Sequence, residues 1–99
     1  MHPMPFADTY DFDSLVNEAE RMVIQELETQ LKGAVGVCTC QDCVLDMAAF
    51  ALNNIKPTYR VSLMGSVYAR SASNTAYTQG ISRAVRDAIA RVKANPSHD

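Results

Sequence analysis

Apolar residues recur at helical spacing in three stretches of the chain. Leu15, Ala19, Met22, Val23, Leu27 and Leu31, with Gln30 on the same stripe, predict a first helix running to about Lys32. Asp11 or Asp13 is the expected cap of that helix, and Gly33 its stop. Acidic side chains near its start suit the positive end of the helix dipole. Val44, Met47, Ala48, Ala51, Leu52 and Ile55 form the stripe of a second helix, expected from about Gln41 to Asn54. Pro57 closes it, because the residue before a proline avoids helical geometry. A third helix begins near Thr75–Gln79 and runs to about Ala94, with Ile81, Ala84, Val85, Ala88, Ile89 and Val92 on its apolar face. Arg83, Arg86 and Arg91 lie off that face, and Asn95-Pro96 ends the helix.

Residues 58–76 follow neither period cleanly. Tyr59, Val61 and Leu63 alternate with Arg60, Ser62 and Met64, which points to a short extended piece; Gly65 breaks it, and Ser71 to Asn74 read as a loop. The expected fold is mostly α: a compact helical domain of three main helices with a short irregular or extended central segment. Residues 1–10 read as a flexible N-terminal tail, 11–95 as the helical domain and 96–99 as a C-terminal tail.

A chain of 99 residues builds one domain with a modest core. The apolar stripes exceed what one such core needs, so a homodimer sharing helices between two copies is expected. No apolar run approaches the roughly 20 residues that span a membrane. Met1-His2-Pro3-Met4-Pro5 lacks the apolar core and basic flank of a secretion signal, which places the expected site of action in the cytoplasm.

Charge alters the picture once the chain is divided. Residues 1–55 carry nine carboxylates against two cations, a balance of −7; residues 56–99 carry seven cations against two carboxylates, a balance of +5. Five of those seven cations are arginines, whose planar fork suits phosphate and stacks on flat rings. The basic half therefore reads as an anion site, or equally as the electrostatic complement of the acidic half. The net charge of −2 opposes strong non-specific nucleic-acid binding.

All three cysteines fall in Cys38-Thr39-Cys40-Gln41-Asp42-Cys43, between a Gly-containing turn and the second helix. Thiolates at C-x-C-x-x-C spacing can converge on one soft cation, and zinc takes sulfur ligands at ~2.3 Å in a tetrahedron. The same residues could serve as small buried hydrophobes or as redox-active thiols. A disulfide would leave one thiol over and strain the short loop. A reducing compartment favours structural zinc.

Two aromatic–guanidinium pairs, Tyr59-Arg60 and Tyr68-x-Arg70, lie close together, followed by Tyr77 and Gln79. Such pairs suit a flat base with a phosphate, where stacking is worth roughly 1–3 kcal/mol per base. Half-buried core tyrosines are the plainer reading. The histidines, His2 and His98, stand at the termini, and neither a Ser-His-Asp set nor a Gly-rich phosphate loop is visible, so an enzyme is not expected.

The cysteine run, Asp46, Ala51-Leu52-Asn53, Pro57-x-Tyr59, Gly65-x-x-Tyr68 and the C-terminal amphipathic helix together resemble the late competence development protein ComFB family over roughly residues 14–93. The resemblance implies a small, mostly helical bacterial homodimer, a zinc site on Cys38, Cys40 and Cys43, and binding of a cyclic dinucleotide, cyclic di-GMP ahead of cyclic di-AMP. It implies a signalling receptor that acts on a downstream protein. A zinc-stapled adaptor in competence, DNA uptake or motility is the alternative. On the receptor reading Arg60 and Arg70 contact phosphate or guanine edges, Tyr59 or Tyr68 stacks on a base, Asn53 and Gln79 bond the bases, and Arg83 completes the anion site. Lys56 stands where family members often carry a second proline. No fourth cysteine completes the metal site; His98 is the best remaining ligand, ahead of Asp42, Asp46 and His2.

Overall fold

The computed structural model of the protein describes residues 5–61 and 75–96. The chain opens with one exposed helical turn, α1 (Phe6–Thr9), and a 3-10 turn over Phe12–Ser14. The rings of Phe6, Tyr10 and Phe12 lean on one another there, with centroids 4.9, 6.0 and 6.4 Å apart. Then come β1 (Val16–Asn17), α2 (Glu18–Lys32), α3 (Gln41–Leu52), β2 (Tyr59–Arg60) and α4 (Thr75–Ala94). The two short strands pair antiparallel, Val16 opposite Arg60 and Asn17 opposite Tyr59. The fold is mostly helical, with three main helices and a short extended central piece, as the apolar spacing predicts.

The first helix starts later than Asp11 or Asp13 would have it. Asn17 caps it instead, its Oδ1 accepting from the Ala19 amide at 3.2 Å and from the Thr58 amide at 2.7 Å. The strand pairing draws Val16 and Asn17 into extended geometry, so the helix cannot begin before Glu18. Asp11 closes the preceding 3-10 turn, where Ser14 Oγ donates to its Oδ2 at 2.7 Å. The second helix ends at Leu52, two residues before the expected Asn54, and Asn53 and Asn54 turn back on the carbonyls of Ala49 and Ala51. The third occupies Thr75–Ala94, within the expected bounds.

The core forms where α2 lies against the α3–α4 pair. Val23 and Leu27 from α2 meet Cys43, Met47 and Ala51 from α3 and the stripe from Ile81 to Val92 of α4. Met47, Val23, Val85 and Val92 are fully buried, and each such side chain contributes about 1.5–3 kcal/mol of transfer free energy. Gln30, a polar residue on the α2 stripe, is accommodated because its Nε2 donates to the Ser82 carbonyl at 2.9 Å and to Glu26 at 2.7 Å. Arg91 lies over the Phe50 ring at 4.8 Å, fastening α4 to α3. Among the described residues no helix is long and apolar enough to cross a membrane.

Candidate functional site

The cysteine turn is built by the chain reversal between α2 and α3. Gly33 caps the end of α2, and Gly36 takes a left-handed φ of 72°, which a side chain would strain. Lys93 of α4 passes close by, its Cε 3.8 Å from where a Cβ on Gly36 would stand. Val37 and Cys38 then pack against the core. Cys40 is extended and caps α3, with its Sγ accepting from the Cys43 amide at 3.5 Å. Cys43 lies in the first turn of α3 and is buried, whereas Cys40 is at the surface.

The three sulfurs lie within 4.8 Å of one another. A tetrahedral zinc with ~2.3 Å bonds needs sulfurs about 3.8 Å apart, so each pair closes by an ångström or less. The donor set is soft and half sunk in the core. These residues fit a structural zinc ion, which would staple the α2–α3 turn to the beginning of α3. Among the described residues the cluster holds these three ligands. His98 and His2 fall outside the described residues. Asp42, exposed in the first turn of α3, and Asp46, one turn on, are not part of the cluster.

The sequence-predicted ligand residues do not converge on one place. Arg60 turns inward, and its Nε pairs with Glu18, a carboxylate only 6% exposed that Arg21 also holds at 2.9 Å. These bonds, led by Arg60, hold the Glu18 carboxyl below the ordinary value of 4.5 against the opposing effect of burial. Tyr59, next on the strand, points the other way. Its ring is exposed beside Leu15, Val16, Asn17, Arg21 and Ile24. Asn53 caps the end of α3 and lines a polar hollow with Asp46, Arg91 and Asn95. Gln79 is exposed on α4. Tyr68 and Arg70 lie outside the described residues.

Arg83 is the predicted ligand residue that lines the groove between the end of α3 and the first half of α4. That groove, about 440 Å³, is walled by Phe50, Asn54, Ile55, Lys56, Ala76, Tyr77, Gly80, Arg83, Ala84 and Asp87. Its volume falls in the ~300–1,000 Å³ range of small-molecule sites. Neither Lys56 nor Arg83 forms an ion pair among the described residues. Sequence reasoning missed Lys56, Gly80 and Asp87 as site residues. The signal for the α4 wall was nonetheless present: Gly80, Arg83, Ala84 and Asp87 stand at i, i+3, i+4 and i+7, on one helix face. Lys56 carried no such signal, since the end of α3 brings it there only in three dimensions.

One rim of the groove is held by hydrogen bonds. Tyr77 Oη donates to the Lys56 carbonyl at 2.8 Å and accepts from Thr58 Oγ1 at 3.2 Å. The Thr58 carbonyl in turn accepts from the Glu18 amide at 2.7 Å. Residues 56–60 thus form a strap between α4 and the start of α2. Between α2 and α3 lies an apolar hollow of about 610 Å³ lined by Ile24, Leu27, Leu31, Val44, Leu45 and Leu52, with Glu20 and Glu28 also in its lining.

The family described as late competence development protein ComFB matches residues 16–96. The solved structure titled as the late competence protein ComFB from Bacillus subtilis superposes with a TM-score of 0.71 at 25% identity, over 84% of this chain and 92% of that one. No curated protein matches this chain significantly.

Proposed function

Since this chain belongs to the late competence development protein ComFB family, we propose that it is a cyclic dinucleotide receptor with a structural zinc site, acting as a homodimer through binding rather than catalysis. The observation that carries this reading is the α3–α4 groove. Two cations without an ion-pair partner among the described residues, Lys56 and Arg83, line it beside the rings of Phe50 and Tyr77. A phosphate needs cations and a base needs an apolar or aromatic wall, and the groove offers both. The cysteine cluster serves the fold: a zinc ion there would fix the approach to α3, whose far end forms the groove. The apolar α2–α3 hollow is the proposed seat of the second copy. The signal passes to a downstream protein by a change of contacts.

Calorimetry on zinc-loaded protein against cyclic di-GMP, cyclic di-AMP and linear pGpG tests the reading. One cyclic dinucleotide should bind saturably and the linear form more weakly. Absence of heat with both cyclic forms, from folded protein, replaces the receptor with the adaptor reading, in which zinc is a staple and the basic half contacts protein or nucleic acid.

A further inference from the structure

The three cysteines of the α2–α3 turn stand close together but not alike. Their sulfurs lie within 4.8 Å of one another. Cys40 is at the surface, in extended geometry at the head of α3. Cys43, in the first turn of that helix, is wholly buried among core side chains. Cys38 is half buried and packs against the same core. One sulfur is therefore open to a reagent in solution and another stands behind it, with the Cys43 amide donating to the Cys40 sulfur at 3.5 Å.

Thiol–disulfide exchange needs that division. An accessible thiol meets the oxidant, and a second, shielded one displaces what the first has taken up. Geometry selects the pair. A Cys38–Cys40 bond would close across a single residue and strain the loop. A Cys38–Cys43 bond would join the two less accessible sulfurs and leave the surface one unused. Because Cys40 is at the surface, turning its side chain onto Cys43 displaces no core residue.

We propose that Cys40 and Cys43 form a reversible oxidation site for a low-molecular-weight disulfide of the glutathione class, Cys40 attacking and Cys43 resolving. The Cys40 sulfur bonds to one sulfur of the oxidant and expels the other half as a thiolate. The Cys43 sulfur then bonds to Cys40 and expels the second half. The two cysteine protons end on the expelled thiolates, the protein loses two electrons, and one small disulfide becomes two thiols. Cys38 keeps its thiol. A sulfur held in a disulfide is no longer a thiolate ligand, so oxidation and the proposed zinc exclude each other. After oxidation α3 keeps its start, tied through Cys40 to Cys43, while the turn from Gly33 to Cys38 loses the tie that zinc would give it. The pair goes beyond the receptor reading and needs no zinc, since its geometry belongs to the thiols alone.

The test holds full-length reduced protein, as purified and after chelation, in buffers of oxidised and reduced glutathione. Acid quenching, alkylation and mass spectrometry then read each cysteine. Trypsin should release residues 33–60 as one peptide, because Pro57 follows Lys56, and its fragmentation names the alkylated residue. A metallochromic indicator follows zinc, and circular dichroism follows helix content. Oxidised wild type should be alkylated at Cys38 alone, keep its helices and release any bound zinc; dithiothreitol should restore every thiol. Cys38→Ser should form the same bond. Cys43→Ser should stop at a glutathione adduct on Cys40. Cys40→Ser, which keeps a good helix cap, should lose the reaction. A different pair, a disulfide between two chains, or thiols left intact in folded, chelated wild type overturns the assignment. A Cys40–Cys43 bond in protein that never held zinc supports it and removes the zinc reading alone.

Discussion

Glu18 is the residue on which two halves of opposite charge meet. Its carboxylate is nearly buried and joins Arg21, of its own helix, to Arg60 of the paired strand. Its carboxyl titrates below the ordinary 4.5, so its stabilising effect is complete above that value and is lost as pH falls through the lower folded pKa. Glu18→Gln should lower stability at neutral pH by about 1 kcal/mol, at the modest end for charge-assisted bonds because Arg21 is half exposed. Wild type and variant should approach each other in denaturant melts run below pH 4.5; a gap that stays constant would exclude the ion pair as its source. Arg60→Ala, read from sequence as a ligand variant alone, should destabilise too, because it strips a buried carboxylate of its leading partner. Cys40→Ser offers a cleaner separation. Serine is itself a good helix cap, so the start of α3 should survive, whereas the proposed zinc should be lost. Elemental analysis should find close to one zinc per wild-type chain and little in the variant. Zinc-free wild-type protein purified without chelator would remove the metal proposal.

At the scale of elements, the α3–α4 pair carries most of the core, and the 56–60 strap is tied on by hydrogen bonds. Met47 of α3 is wholly enclosed between the three main helices. Met47→Ala should cost about 2–5 kcal/mol, read as a shift of the denaturant midpoint, with the larger value if the helices fail to collapse into the cavity. The strap is held by Tyr77 to the Lys56 carbonyl and Thr58, by Asn17 to the Thr58 amide, by the Glu18 amide to the Thr58 carbonyl, and by the strand pairing and the Arg60–Glu18 ion pair. Because Lys56 both lines the groove and belongs to the strap, the groove wall and the start of α2 are mechanically joined.

At the scale of the molecule, the excess of apolar helix surface is the main argument for a second copy. Ile24 and Leu45 are 57% and 58% exposed and line a hollow that is apolar apart from Glu20 and Glu28. Contiguous apolar surface of this kind marks interaction sites. An antiparallel meeting of two α2 helices would set the acidic start of one, at Glu20, near Lys32 at the end of the other, so the face is complementary to itself. Light scattering should report about twice the 10.9 kDa chain mass at micromolar concentration, and Leu45→Glu should return it to the monomer value. A wild-type monomer would exclude this face as a self-association surface.

Periodicity alone determined the helices, because a 3.6-residue apolar stripe has one way to bury itself. The stripe from Ile81 to Val92 and that from Met47 to Ala51 lie in the core as their spacing required. The cysteine cluster was equally legible, since six residues of chain leave three sulfurs little room to diverge. What the sequence could not decide is where side chains from distant segments go. Asp11 and Asp13 are locally adequate caps, yet strand pairing gave that role to Asn17. Tyr59 and Arg60 are neighbours, yet the two-residue period of a strand sends them to opposite faces. The charge halves do attract, through Glu18 and Arg60, while Lys56 and Arg83 are left to line a groove. Local spacing decides which face of an element is apolar. Only the packing of α3 against α4 decides which polar residues then stand across a gap from one another, because that proximity depends on the crossing of two helices and not on their separation in sequence.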